Sequence, residues 1–409
     1  VSPDARGDFS ISSFAAQETD SMPTIQYRDL KRQYELDGPA KTVGHLSEAL
    51  SAGQLRPRDF SLRDLAEALV PDGREWVRTL DPRVAGGVSL QEAAGAVDAS
   101  AFSNITGQIV YSTLLEAYQH EAFVVSRLVS TVPTRFDGEK IPGVTRVADL
   151  VDEVRPGMPY PNLGFGEDYI ETPSTTKRGF IVPVTKEAVF FDRTNLVLQR
   201  ASEVGEILGL NKEQRLADLV IGATNNYKWK GTAYNTYLAS GAWANSLSGN
   251  ELVDWTDVDA VEQLFAEMVD PATGEPVLVQ GNTVLVMPAY RHAANRVFSA
   301  TEIRYLGSGA ATQTIAPNPI SGYRVESSRI AYRRLVASGV SVANAKKYWY
   351  VGDFQRAFAY MENWPITVVQ APQNDEADFT QDIVLRFKVS ERGAAAVINP
   401  RYVVQCYDT

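Results

Sequence analysis

The 409-residue chain has one cysteine, three histidines and no long apolar run. Each scarcity removes a class of protein. A single thiol, Cys406, cannot make an intramolecular disulfide, so the fold does not depend on an oxidising compartment. Its setting, "RYVVQCY", puts Tyr402, Val404 and Cys406 on one strand face, the pattern of a small buried hydrophobe rather than of a nucleophile. His45, His120 and His292 are scattered and match no metal-ligand spacing, so no zinc enzyme is expected. No stretch reaches the roughly 18 apolar residues of a membrane helix, and the start of the chain lacks a basic-then-apolar signal. No membrane partner and no export are expected. Positive charge is short as well: 39 Lys and Arg stand against 50 Asp and Glu, a net charge of -11. That balance argues against a general grip on nucleic acid, which needs cations to displace counterions from phosphates.

Catalytic patterns are equally scarce. There is no G-x-S-x-G elbow and no Walker A loop; "NLGFGEDY" and "LGSGAATQ" contain G-x-G without completing a dinucleotide fingerprint. "DVD" at 257–259 sits where a helix needs N-terminal acids, so capping explains it better than a metal. Glu167, Asp168 and Glu171 form an acidic group, read as solvated charges or salt-bridge partners for a neighbouring molecule rather than as an acid/base pair. No catalytic, cofactor-binding or metal residue is assigned, and no enzyme is expected.

With 44% hydrophobic and 22% charged residues the chain is an ordinary globular one, long enough for two or three packed units. Residues 1–30 read as an extended polar arm held by another subunit. Helices are predicted over 61–70 with Ser61 as N-cap, over 72–80, and over roughly 106–130. Residues 160–193 read as a long hairpin with "TPSTTKRG" at its tip, a ribbon too weak to stand alone in water. A helix follows from Thr194 or Asn195, with a bend and restart at Asn211, whose Gln214 completes a capping-box pattern. Gly205 and Gly209 inside it suggest close packing. Residues 224–250 read as an aromatic-rich loop, buried against another subunit, and a helix capped by Thr256 or Asp257 comes next. "VLVQGNTVLVMP" is a strand or strand pair leading into the helix "AYRHAANRVFSA". From 347 onward the chain is β-rich: Ile383, Leu385, Phe387 and Val389 share one face, Arg386 and Lys388 the other, and "SERG" is expected to turn.

The ordered set of these pieces resembles the major capsid protein of tailed phages, with the Hong Kong 97-type shell fold. The resemblance covers about residues 100–409 and is sharpest in Gly352-Asp353-Phe354, Trp364 to Val369, Phe379 to Phe387, Glu391-Arg392-Gly393, and Pro400, Tyr402, Val403. "NTVLVMPAYRHAANRV" and "TKEAVFFDRTNLVLQRA" look like the family's central unit and its hairpin return arm. It implies an α+β fold with an N-terminal arm and helical region (1–105), the start of a peripheral domain (106–159), an extended hairpin loop (160–193) and a spine helix (194–223). An axial domain with an insertion (224–345) and a β-rich return to the peripheral domain (346–409) complete it. The implied function is self-assembly into hexamers and pentamers of an icosahedral shell enclosing double-stranded DNA, in the virion after assembly in the host cytoplasm. Copies of the chain, a portal, scaffold and decoration proteins, and DNA held without sequence preference are the implied partners.

Within that resemblance the candidate inter-subunit contacts are Glu167, Asp168, Glu171, Lys177, Arg178, Lys186, Trp229, Trp243, Trp349 and Trp364. Some family members join a hairpin lysine to a neighbour's asparagine; here Lys177 with Asn344 or Asn363 would supply the pair, against the plainer reading of Lys177 as a surface charge. An encapsulin-like compartment around protein cargo is the nearest alternative, and an enzyme with a non-standard site the third.

Overall fold

Ser61 shows how local chemistry starts the fold. Its Oγ accepts a hydrogen bond from the Asp64 amide at 3.1 Å, and the amphipathic run behind it forms a helix with Leu62, Leu65, Ala66 and Leu69 buried. The computed structural model of the chain describes residues 27–70, 72–80, 96–142, 169–241, 243–270, 274, 276–306, 313–318, 320, 322–371 and 382–408. Most of the expected arm, and Glu167 and Asp168, lie outside them.

Two compact units result: Val1–Ser112 with Lys186–Asn195, and Thr113–Thr185 with Leu196–Thr409. The first contains helices α1 (Tyr27–Asp37), α2 (Pro39–Ser51), α3 (Leu62–Leu69), α4 (Gly73–Thr79), most of α5 (Ala96–Tyr118) and α7 (Lys186–Phe190). Leu65, Leu69, Trp76, Phe102 and Ile105 are buried within it. After α7, Asp192 takes a left-handed backbone (φ 51°) and its carboxylate accepts from the hydroxyls of Ser61 (2.9 Å) and Thr194 (2.8 Å).

In the second unit the helix predicted for 106–130 ends early. α5 stops at Tyr118 and a short α6 (Val125–Leu128) follows. The break is stabilised by Glu213, a fully buried carboxylate that accepts from the amides of Val125 (2.7 Å) and Ser126 (2.8 Å) and from the Ser126 hydroxyl (2.6 Å). Glu213 belongs to α8 (Thr194–Val220), which is one uninterrupted helix. No restart occurs at Asn211, whose side chain accepts from Arg215 Nε at 3.0 Å. The glycines of α8 do mark close packing: a Cβ at Gly205 would overlap the Leu114 carbonyl, and one at Gly209 would lie 2.6 Å from the Phe123 ring.

Among the described residues the strands divide into four sheets. The long sheet has the order β1 (Ser130–Pro133), β13 (Phe358–Gln370), β14 (Ile383–Val397), β4 (Thr176–Thr185), with β1 parallel to β13 and the other pairs antiparallel. A second sheet joins β2 (Lys140–Pro142), β3 (Tyr169–Glu171), β5 (Tyr227–Trp229) and β6 (Thr232–Tyr234). Of the expected hairpin, residues 160–168 lie outside the described ones, and the part that is described does not fold as a hairpin. β3 and β4 do not pair with each other, and "TPSTTKRG" carries the chain from one sheet to the other. The cause is that Val182 and Val184 of β4 bury themselves beside Phe387 and Leu385 of β14, whereas Ile170 packs with Tyr227. "SERG" is likewise no turn: β14 runs straight through it, because Gly393 lies against the Tyr360 ring and Glu391 faces buried partners.

The five-stranded sheet runs β11 (Arg324–Ser327), β8 (Thr283–Val286), β12 (Trp349–Gly352), β15 (Val403–Tyr407), β7 (Ser246–Ser248). It is apolar on both faces: Leu285, Tyr350 and Val403 enter one core cluster, while Val284, Val286, Trp349, Val351, Val404 and Cys406 enter another. α9 (Trp255–Glu267) packs Val258, Val261 and Phe265 into the second. Its N-cap is Asp254, not the expected Thr256 or Asp257; Asp257 acts as the reciprocal member of the capping box, accepting from the Asp254 amide at 2.9 Å. α10 (Arg291–Phe298), α11 (Arg329–Ala337), α12 (Val342–Ala345) and α13 (Phe354–Ala357) complete the helices, and β9 (Glu302–Leu306) with β10 (Gln313–Pro317) forms a two-stranded sheet of its own.

Candidate functional site

The stretch from Trp349 to Gln370 threads both large sheets. β12 lies in the centre of the five-stranded sheet, Asp353 then caps α13 by accepting from the Arg356 amide (3.3 Å), and β13 enters the long sheet. Tyr350, Phe354, Phe358 and Tyr360 are all buried, so the aromatics here build core. At Glu362–Thr367 the register of β13 against β14 shifts twice, around Trp364 and Pro365. A proline has no amide to donate, so away from a sheet edge it is placed at such an irregularity.

On the face of the long sheet that meets the helices, a network of charged and phenolic groups is held out of water. Glu391 of β14, 3% exposed, accepts from Tyr118 Oη at 2.6 Å and from Arg215 Nη2 at 2.9 Å. Lys212 lies one turn from Arg215 on α8 with its Nζ 4.1 Å from the Tyr360 ring centroid and 5.3 Å from that of Tyr118. Burial lowers the Lys212 ammonium below its usual range, against the opposing pull of Glu391. Burial also pushes the Tyr118 phenol well up, and the Glu391 charge beside it adds to the shift. Tyr360 is pushed up to about 12, mainly by burial. This network joins α5 and α8 to the sheet.

The opposite face of the sheet is open over its outer half. In register across β4, β14 and β13 lie Ile181, Lys388 and Val369, and further along Lys177, Arg392 and Trp364. Ile181 is 62% and Val369 50% exposed. The half-buried Trp364 ring has Lys177 Nζ at 5.9 Å and the Arg392 guanidinium at 5.6 Å from its centroid. Arg392 also donates to Thr175 Oγ1 (2.9 Å) and meets Asp137 at 3.4 Å.

The predicted contact residues divide accordingly. Trp349 and Trp243 are 1% and 4% exposed, so their own chain already covers them; Trp349 Nε1 donates to the Asn250 carbonyl at 2.8 Å. Trp229 is half-buried and packs on Tyr234, and the segment 224–250 is not all loop, since it forms β5, β6 and β7. Glu171 pairs with Lys140 at 3.6 Å, Arg178 bonds the Thr176 hydroxyl, and Lys186 opens α7 in the first unit. Lys177 and Trp364 are brought together on the open face. Asn363, next to Trp364 in sequence, donates to the carbonyls of Thr134 and Phe136, both at 3.1 Å, while Asn344 stands on α12, outside the long sheet. Sequence reasoning missed Tyr118, Lys212, Arg215 and Glu391. Separations of 273 and 176 residues between the hydrogen-bonded members left only one signal, an acid in an otherwise apolar alternation.

Among the described residues no group of three or more His, Cys, Asp and Glu side chains is placed to hold a metal, and no helix is long and apolar enough to cross a membrane. No curated protein matches the sequence. Solved structures it is similar to include those titled Mycobacterium phage Bobi (16% identity, TM-score 0.41, 70% of this chain and 90% of that one) and the capsid of the empty GTA particle (15%, 0.41, 71% and 91%). The capsid structure of cyanophage P-SCSP1u is a third (13%, 0.40, 69% and 86%). The family is shown by none of these likenesses but by the family model described as phage capsid protein, which matches residues 169–406, from the start of β3 to the buried Cys406. That span holds β4, α8, β12, β13, β14 and β15, and the chain belongs to the phage capsid protein family.

Proposed function

We propose that this capsid protein assembles into hexamers and pentamers that close as an icosahedral shell around double-stranded DNA. The family match over residues 169–406 carries this reading. The open face of the long sheet supports it, since exposed apolar residues flanked by charges suit a surface that other copies cover. In this reading the shell is the chain's place in the virion and assembly takes place in the host cytoplasm. A portal, scaffold and decoration proteins are its further partners, the DNA is held without sequence preference, and the chain performs no catalysis. The five-stranded sheet and α9 to α12 are proposed as the axial domain, and the long sheet with α8 as the peripheral one.

Electron microscopy of the purified chain, with its mass from light scattering, tests the proposal. Closed particles, or rings of five and six copies that close on concentration, are expected. A homogeneous monomer or dimer at every concentration would overturn it.

A further inference from the structure

The helices over the five-stranded sheet carry segregated charge. Residues 231–275 hold eight Asp and Glu and no Lys or Arg, whereas residues 276–352 hold nine Lys and Arg and two Glu. In the fold these stretches supply neighbouring helices. α9 and α10 enter the same core cluster on one face of the sheet, through Val258, Val261 and Phe265 and through Ala294, Val297 and Phe298. α10 lies against the edge strand β11, and α9 starts beside the opposite edge, where the Asn250 amide just after β7 donates to the Tyr407 carbonyl at 3.1 Å. Part of the charge is matched within the chain: Glu251 meets Lys347 at 3.5 Å, and the buried Asp270 meets Arg401 at 2.9 Å. The helix surfaces are not matched in this way. α9 presents the half-buried Asp259 and the exposed Glu262 and Glu267, and α10 presents Arg291, His292 and Arg296, all exposed. Among the described residues none of these six makes an ion pair, although Glu262 accepts from the Tyr323 hydroxyl at 2.7 Å. Like charges one turn apart, as Asp259 and Glu262 are, cost a helix stability that an opposite charge from outside recovers.

A DNA duplex would match α10 but be repelled by α9 on the same face of the sheet. A second copy of the chain matches both. We propose that the acids of α9 in one copy pair with the α10 cations of the next, a head-to-tail contact repeated around each ring. Glu262 and Glu267 on one helix, and Arg291 and Arg296 on the other, have the same spacing, about 7.5 Å along the helix axis, so both pairs meet at once. Val253, 69% exposed just ahead of α9, adds apolar surface at the rim of this contact. The inference rests on the reading of the chain as a shell subunit and names the side chains that join its rings.

The test uses full-length chains. Glu262→Lys with Glu267→Lys makes both helices cationic, and Arg291→Glu with Arg296→Glu makes both acidic. Each variant alone should give at least about tenfold fewer rings and particles than the unmodified chain in electron microscopy. Mixed in equal amounts, the two restore every contact only by alternating around the ring, so only even-numbered rings close. Six-membered rings are therefore expected in the mixture, without five-membered rings and without closed shells. All four substitutions in one chain should restore both ring sizes. Denaturant melts show whether each chain folds; where a reversed chain does not, Glu267→Gln and Arg296→Gln carry the test, each raising several-fold the concentration at which rings form. A reversed variant that assembles alone at the unmodified yield, five-membered rings in the mixture, a folded four-substitution chain that does not assemble, or neutral variants that assemble unchanged would each overturn the contact and leave the shell reading standing. Loss of a duplex-DNA band shift on Arg291→Glu with Arg296→Glu, with rings intact, would assign the cations to DNA and also overturn it. If the unmodified chain forms neither rings nor particles, both readings fall.

Discussion

The five-stranded sheet and the long sheet are joined by two direct strand-to-strand connections, β12 to β13 and β14 to β15, but meet solvent differently. In the first, β8 and β12 are buried along their whole length on both faces. In the second, the outer half of β4, β13 and β14 is covered on the helix side only, and the other face presents Ile181, Val369 and a row of cations. A sheet closed on both faces can contribute only stability. A sheet open on one face keeps surface in reserve for a partner, so the same substitution chemistry should give opposite results in the two places.

Trp349→Ala should have the largest effect. It empties a fully enclosed site in the five-stranded sheet and should cost about 3–5 kcal/mol in chemical denaturation, with assembly lost only because folding is lost. Glu391→Ala should come next, at about 3 kcal/mol, because the half-buried Arg215 and Tyr118 would lose the acceptor they share. An effect under 1 kcal/mol would mean that water reaches this network. Tyr118→Phe removes one charged hydrogen bond, about 1.5–3 kcal/mol at pH 8. Its sign with pH is fixed by the raised phenol: the folded state holds that proton more tightly than the unfolded chain, whose tyrosines titrate near pH 10, so stability is full below about pH 10 and falls above it. The gap between wild type and variant should therefore narrow as pH rises past 10; a constant gap would sink the assignment. Gly205→Ala gains helix propensity of about 1 kcal/mol but drives a methyl into the Leu114 carbonyl, for a net loss of about 1–2 kcal/mol in thermal or denaturant melts. Lys388→Glu should be the mildest in the isolated chain, within about 0.5 kcal/mol, because its side chain is exposed. Its effect should appear in particle yield alone, and a stability loss comparable to that of Trp349→Ala would erase the contrast between the sheets.

Periodicity made much of this legible. The helices α3, α4 and α9 and the alternating face of β14 follow from spacing, and α3 from its Ser61 cap as well, because those signals are complete within a dozen neighbours. Strand partners are not local. Nothing within 160–193 distinguishes a strand that pairs with its neighbour from one that pairs with residues 383–393, and β4 takes the latter because the buried faces match there. "SERG" has turn chemistry, yet contacts of Glu391 and Gly393 with distant groups override it. The aromatic residues were legible as rigid apolar surface, but whether such surface is turned inward or left open depends on which elements cover it. Trp349 and Trp364 look alike in sequence and differ for that reason.

The short link between β12 and β13 has a mechanical consequence. Phe354 and Ala357 of α13 are buried, Asp353 donates its amide to the Tyr402 carbonyl at 2.9 Å, and the Ala357 carbonyl accepts from both Ile398 (2.8 Å) and Asn399 (3.1 Å). The link therefore has no slack, and close-packed interiors pass on deformation rather than absorb it. A twisting load applied at the far tip of β13 must be delivered, like torque along a stiff axle, into the middle of the five-stranded sheet.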